Sequence, residues 1–157
     1  MIVVDTSLFV DYLFERNEER YKKASKILNS IEGLTVFEPK VFLIEMIAVS
    51  KRLGIEISRK DLEELTLDFT FLPEDIIFGE ALNIAESVHP RAIDAYFIAT
   101  AKLTNSVLLS SDKKMCDNAK KYGVEAYYVP DELEKALNIL KGVPNGQILE
   151  IKRGKGN

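Results

Sequence analysis

The sequence predicts an α/β fold in which a parallel sheet is covered by helices on both faces. Two observations carry this. Short apolar runs at Ile2–Val4, Leu34–Phe37, Val107–Leu109 and Ala126–Val129 alternate with longer segments of helical periodicity. Those runs are continuously apolar, as befits strands of a parallel sheet buried on both sides.

The elements follow in order. After the Ile2–Val4 run come helical patterns from about Ser7 to Phe14 and from about Asn17 to Ile31. Leu34–Phe37 reads as the second strand, with Pro39 in the first turn of a helix running to Leu53 and stopped by Gly54. Ser58 suits the N-cap of a helix through Leu67, with Asp61 three residues on as a weaker capping box. Phe69–Leu72 is either a short extended piece or a turn. Pro73 opens a helix to about Val88, and Pro90 opens another to Leu103. The strand Val107–Leu109 precedes a helix from Asp112 to Tyr122 closed by Gly123, then a last strand, Ala126–Val129. Pro130 opens the final helix, and Gly142 ends it. One domain spans 1–141; residues 142–157 form a short basic, glycine-containing tail, either a solvated end or an arm contacting phosphate.

The 157 residues carry 25 acids against 21 Lys and Arg, a net charge of −4, which argues against a generic basic nucleic-acid binder. The longest uncharged stretch, Leu103–Ser111, has nine residues, whereas a membrane span needs roughly 18 apolar ones. No membrane partner is therefore expected. The start, Met1-Ile2-Val3-Val4-Asp5, lacks the basic and long apolar regions of a secretory signal, so the expected location is cytoplasmic. A single cysteine, Cys116, offers neither a disulfide nor a zinc set.

Four acids stand in apolar company. Asp5 is the only charged residue between Met1 and Val10, Glu45 the only one from Val41 to Ser50, and Asp94 the only one from Ala92 to Ala101; Asp112 ends the uncharged run holding the strand Val107–Leu109. An ionised carboxylate in such a setting costs several kcal/mol unless it is paired, hydrogen-bonded or bound to a metal. Asp5 and Asp112 follow strands, and ligands of parallel sheets bind beyond the carboxyl ends of the strands. Glu45 and Asp94 lie on the most apolar helices, which must pack on that sheet. Arg91, three residues before Asp94, is the one evident local cation and a candidate ion-pair partner. Four converging carboxylates call for a hard divalent cation, Mg²⁺ or Mn²⁺, and not zinc.

The hydroxyls of Thr6, Ser7, Ser110 and Ser111 flank these acids, either as helix caps or as groups that orient metal-bound carboxylates. Asp11 and Asp117 read as helix-surface acids, His89 as a loop residue without chemistry, and Tyr127 and Tyr128 as strand residues. There is no phosphate-binding G-x-x-x-x-G-K-[ST] and no G-x-G-x-x-G.

The ordered set Val3-Val4-Asp5-Thr6-Ser7, Glu45 in an apolar helix, Arg91-Ala92-Ile93-Asp94-Ala95 and Leu108-Leu109-Ser110-Ser111-Asp112 resembles the PIN domain, in particular VapC-like toxin ribonucleases. The resemblance implies a PIN-like three-layer α/β/α sandwich and Mg²⁺- or Mn²⁺-dependent hydrolysis of RNA phosphodiester bonds. It implies Asp5, Glu45, Asp94 and Asp112 as the catalytic, metal-holding acids, with Thr6 or Ser7 and Ser110 as supporting hydroxyls. Arg91 is then a candidate substrate contact. Ser110 stands where many members have threonine. A small antitoxin protein and a homodimer would be the expected partners. Two alternatives within the resemblance are a housekeeping RNA-processing nuclease and a non-catalytic binding domain, the latter opposed by the presence of all four acids. An aspartyl phosphatase would need a second acid at position 7, where Ser7 stands.

Overall fold

The computed structural model describes residues 1–14 and 17–144. The element order is β1 (Ile2–Val4), α1 (Thr6–Phe14), α2 (Glu18–Ser30), β2 (Val36–Pro39), α3 (Val41–Arg52), α4 (Arg59–Leu65), β3 (Phe69–Leu72), α5 (Glu74–Val88), α6 (Ala92–Thr104), β4 (Val107–Ser110), α7 (Lys113–Lys121), β5 (Ala126–Tyr128) and α8 (Val129–Lys141). All strand pairs are parallel and the order is β3-β2-β1-β4-β5. Helix α6 lies on β1, β2 and β4 and carries α5 outside it, while α7 and α8 pack on β4 and β5 and α2 joins α8 to α1. The architecture is the expected α/β/α sandwich. The basic residues of the tail lie beyond Pro144, outside the described residues.

Asn17 caps α2 by accepting from the Arg20 amide, and Ser58 with Asp61 forms a full capping box on α4. Phe69–Leu72 is a strand, pairing with β2 from Val36↔Phe69 to Pro39↔Leu72. That pairing corrects the second strand: it lies two residues later than its apolar run suggests, and Pro39 ends it instead of entering a helix. Proline is tolerated there because the missing N–H falls on the side of β2 away from β3, where no ladder bond is made. Pro73, Arg91 and Asp112 sit at the N-caps of α5, α6 and α7, so these helices start later than their first polar or proline signal. Val129 belongs to α8, not to β5. His89 closes α5 in the left-handed conformation, φ 54°.

Helix α6 is buried over Asp94–Ala95 and Phe97–Ala101, which explains its lack of a polar face. Beneath the site, Phe42 packs edge-on against Phe9 and Phe97, with ring centroids 5.3 and 6.4 Å away. This cluster joins α1, α3 and α6, the elements that carry Thr6, Glu45 and Asp94.

Candidate active site

The site is assembled at the carboxyl ends of β1 and β4. Their pairing, Val4↔Leu109, extends through an Asp5 N–H bond to the Leu109 carbonyl at 2.9 Å, which places Asp5 beside Ser110. Asp5 is 4% exposed. Its Oδ2 accepts from the hydroxyls of Ser7 and of Ser110, the latter at 2.7 Å. Ser7 Oγ in turn accepts from the Ser111 amide at 2.9 Å, and Ser110 Oγ from the Asp112 amide at 2.8 Å. The two serines thus tie the β1 and β4 ends together around one carboxylate. Burial pushes the Asp5 carboxyl up to about 6, with the charges of Glu45 and Asp94 adding to the rise and the two serine hydroxyls opposing it.

Thr6 Oγ1 donates to Glu45 Oε2 at 2.7 Å, linking the start of α1 to α3. The Glu45 carboxyl is raised by burial, with Thr6 acting against the rise and Asp94 with it. Arg91 holds Asp94 with two bonds, Nε to Oδ2 at 2.9 Å and Nη2 to Oδ1 at 3.0 Å, and Nη2 also reaches Asp112 Oδ2 at 2.6 Å. Burial still raises the Asp94 carboxyl, although Arg91 opposes it. The other oxygen of Asp112 caps α7, accepting from the amides of Lys114 and Met115.

A cleft of about 270 Å³ opens here, lined by Asp5, Glu45, Asp112, Arg91, Arg20 and Arg52 among others. Asp94 is not in its wall; it lies beneath Arg91 and is 2% exposed. Another cavity, of about 250 Å³ near the first residues of β2 and β3, is lined by Phe9, Tyr12, Leu34 and Phe69 together with Glu32, Glu64 and Asp68, and contains no arginine or lysine in its lining.

The sequence reading missed four participants. Asp11 is not a free surface acid: Arg20 Nε binds its carboxylate at 3.0 and 3.1 Å, and Nη2 of the same arginine reaches the Ser111 carbonyl at 3.0 Å. Asp11 lies one helical turn after Ser7, a spacing that could have flagged it. Arg20 and Arg52 come from charged stretches with no local signal, so Arg91 is not the only cation at the cleft. Glu38, inside β2, is fully buried, and its carboxyl accepts from the Val4 amide. Its signal is an acid flanked by Val36, Phe37 and Pro39, masked by Lys40. Cys116 is buried and its thiol is pushed up to about 12, which leaves it inert.

The donor chemistry suits a hard cation: four carboxylates, no sulfur or imidazole, and carboxyls at Asp5 and Glu45 raised first by burial and further by the neighbouring acids. As they stand, no set of three or more acidic, histidine or cysteine side chains among the described residues is arranged to hold a metal ion, and Arg91 spans Asp94 and Asp112.

A PIN domain profile matches residues 2–121. Among solved structures, a chain of a toxin-antitoxin complex from Klebsiella pneumoniae aligns with a TM-score of 0.57 and 19% identity, covering 74% of this chain and 90% of that one. At that identity the likeness concerns the fold. No curated protein sequence matches.

Proposed function

The chain belongs to the PIN domain family, and from that premise we propose that it is a Mg²⁺- or Mn²⁺-dependent endoribonuclease, the toxin of a toxin–antitoxin pair. The observation that supports the reading is that Asp5, Glu45 and Asp112 line one cleft at the sheet edge, with Asp94 held next to it through Arg91, which bonds both Asp94 and Asp112; Asp5 and Asp94 are almost completely buried. Asp5, Glu45, Asp94 and Asp112 would hold the ion. When bound, such an ion polarises the scissile phosphodiester and lowers the pKa of an attacking water.

The chain's own residues have defined tasks in this reading. Ser7 and Ser110 fix the orientation of the Asp5 carboxylate, and Thr6 does the same for Glu45. Arg91 neutralises Asp94 and Asp112 in the metal-free protein, holding two negative charges close together until a cation takes its place. Arg20 and Arg52 line the cleft, where they position the RNA backbone by its phosphates. These cations let a chain of net charge −4 receive a polyanion. A small antitoxin and a second copy of the chain are the partners this reading carries; the Klebsiella neighbour supports the first.

The test compares end-labelled RNA, DNA of the same sequence and an aryl phosphate monoester, each with Mn²⁺ or with EDTA. Internal cleavage of RNA in Mn²⁺ alone is expected. Cleavage that persists in EDTA, or turnover of the monoester alone, would overturn the proposal.

A further inference from the structure

Glu38 is the buried acid that the mechanism above leaves unused. It is 0% exposed, its Oε1 accepts from the Val4 amide at 2.8 Å, and its Oε2 is buried with no partner among the described residues. This bond replaces one that the sheet would otherwise make. Ile2 donates to the Thr35 carbonyl at 3.1 Å, so in a regular parallel ladder the next amide on that side, Val4, would donate to the Phe37 carbonyl. Instead β1 and β2 pair only at Ile2↔Val36, while β1 and β4 pair at three successive positions. Pro39, lacking an N–H, could not extend the ladder back to β1 either. Strands β1 and β2 therefore part at their carboxyl ends, with the Glu38 side chain between them.

That parting lies under the candidate site. Asp5 follows Val4 directly, and only Lys40 separates β2 from α3, the helix that carries Glu45. The Thr6–Glu45 hydrogen bond spans the gap just above it. We propose that Glu38 is a positioning residue, a side-chain wedge that sets the separation of β1 from β2 and thereby the distance between Asp5 and Glu45. The inference rests on the metal-dependent reading of the site. Burial, with Asp5 and Glu45 nearby, holds the Glu38 carboxyl well above its ordinary range, and the bond from the Val4 amide opposes the rise.

The proposal separates stability from metal binding. Exchanging a buried, half-satisfied polar group for an apolar one of similar place is often neutral or stabilising. Glu38→Val, which lets β2 close on β1, is thus expected to melt at or above the wild-type temperature, yet to bind Mn²⁺ roughly 10–100-fold more weakly by calorimetry, the usual scale for losing a group that orients a ligand. Glu38→Gln keeps the acceptor for Val4 and should restore wild-type affinity. Equal Mn²⁺ affinity of Glu38→Val and wild type, or failure of Glu38→Gln to rescue, would overturn the role of Glu38 alone. A wild type that takes up no Mn²⁺ would overturn the nuclease reading on which it depends. The wild type also gives a test independent of any variant: trans-hydrogen-bond NMR couplings should link the Ile2 nitrogen to the Thr35 carbonyl carbon but not the Val4 nitrogen to that of Phe37. A Val4–Phe37 coupling would show the ladder closed and refute the wedge.

Discussion

Replacing Asp5 with asparagine should make the metal-free protein more stable while destroying its use for the cation. In the folded chain burial lifts the Asp5 carboxyl from 3.8 to about 6, a rise of about two pH units, each equivalent to about 1.4 kcal/mol. Because the folded value lies above the unfolded one, the folded state binds more protons between about pH 4 and pH 6. The Asp5 contribution is therefore least unfavourable below pH 4 and falls by up to about 3 kcal/mol as pH rises through 6. Asparagine carries no such charge, although it satisfies the two serine hydroxyls less well. The advantage of Asp5→Asn over wild type should open between pH 4 and 6 and level off above 7, at about 1–3 kcal/mol or several degrees in Tm. Urea denaturation of both proteins in EDTA, repeated from pH 4 to 8, measures it, and the comparison cancels titrations that the two proteins share. A stability difference that does not change with pH, or one that moves in favour of the wild type as pH rises, would refute the reasoning.

Three further outcomes follow from the same geometry. Arg91→Gln leaves the buried Asp94 without its bidentate partner and should lower metal-free stability by about 1–3 kcal/mol, with saturating Mn²⁺ recovering most of the loss in a melting experiment. Ser110→Ala removes a hydroxyl that favours ionised Asp5, so the pH window in which Asp5→Asn gains its advantage should shift upward when both proteins carry Ser110→Ala. Ser58→Ala breaks the capping box of α4, which does not line the cleft, and should cost about 1 kcal/mol of stability with no change in cleavage rate at a temperature where both proteins are folded.

How far these features could be read from the sequence depended on how local their causes are. Asp5, Glu45, Asp94 and Asp112 stand out because each interrupts an apolar run, and desolvation cost is a property of immediate neighbours. The strands and caps were legible for a similar reason, as with Ser58 and Asp61, whose bond spans three residues. Position within the sheet was not. Val36–Pro39 slid past its apolar run because pairing with Phe69–Leu72, more than thirty residues on, decides where β2 ends. Arg20 reaches the site through Ser111, 91 residues away, from a helix face that reads as ordinary solvated charge. Glu38 escaped notice because its partner is a backbone amide on another strand, and no residue type announces that a ladder will open there.

The central claim, that the four acids form a single metal-dependent ribonuclease site, is tested most directly by single-turnover cleavage of one labelled RNA. Wild type, Asp5→Asn, Glu45→Gln, Asp94→Asn and Asp112→Asn are compared at saturating Mn²⁺, after each is shown to be folded. The expected result is cleavage by the wild type and a loss of at least about 100-fold in each variant, the scale of removing one electrostatic contributor to a transition state. Wild-type rates in Asp5→Asn or Asp94→Asn would contradict it.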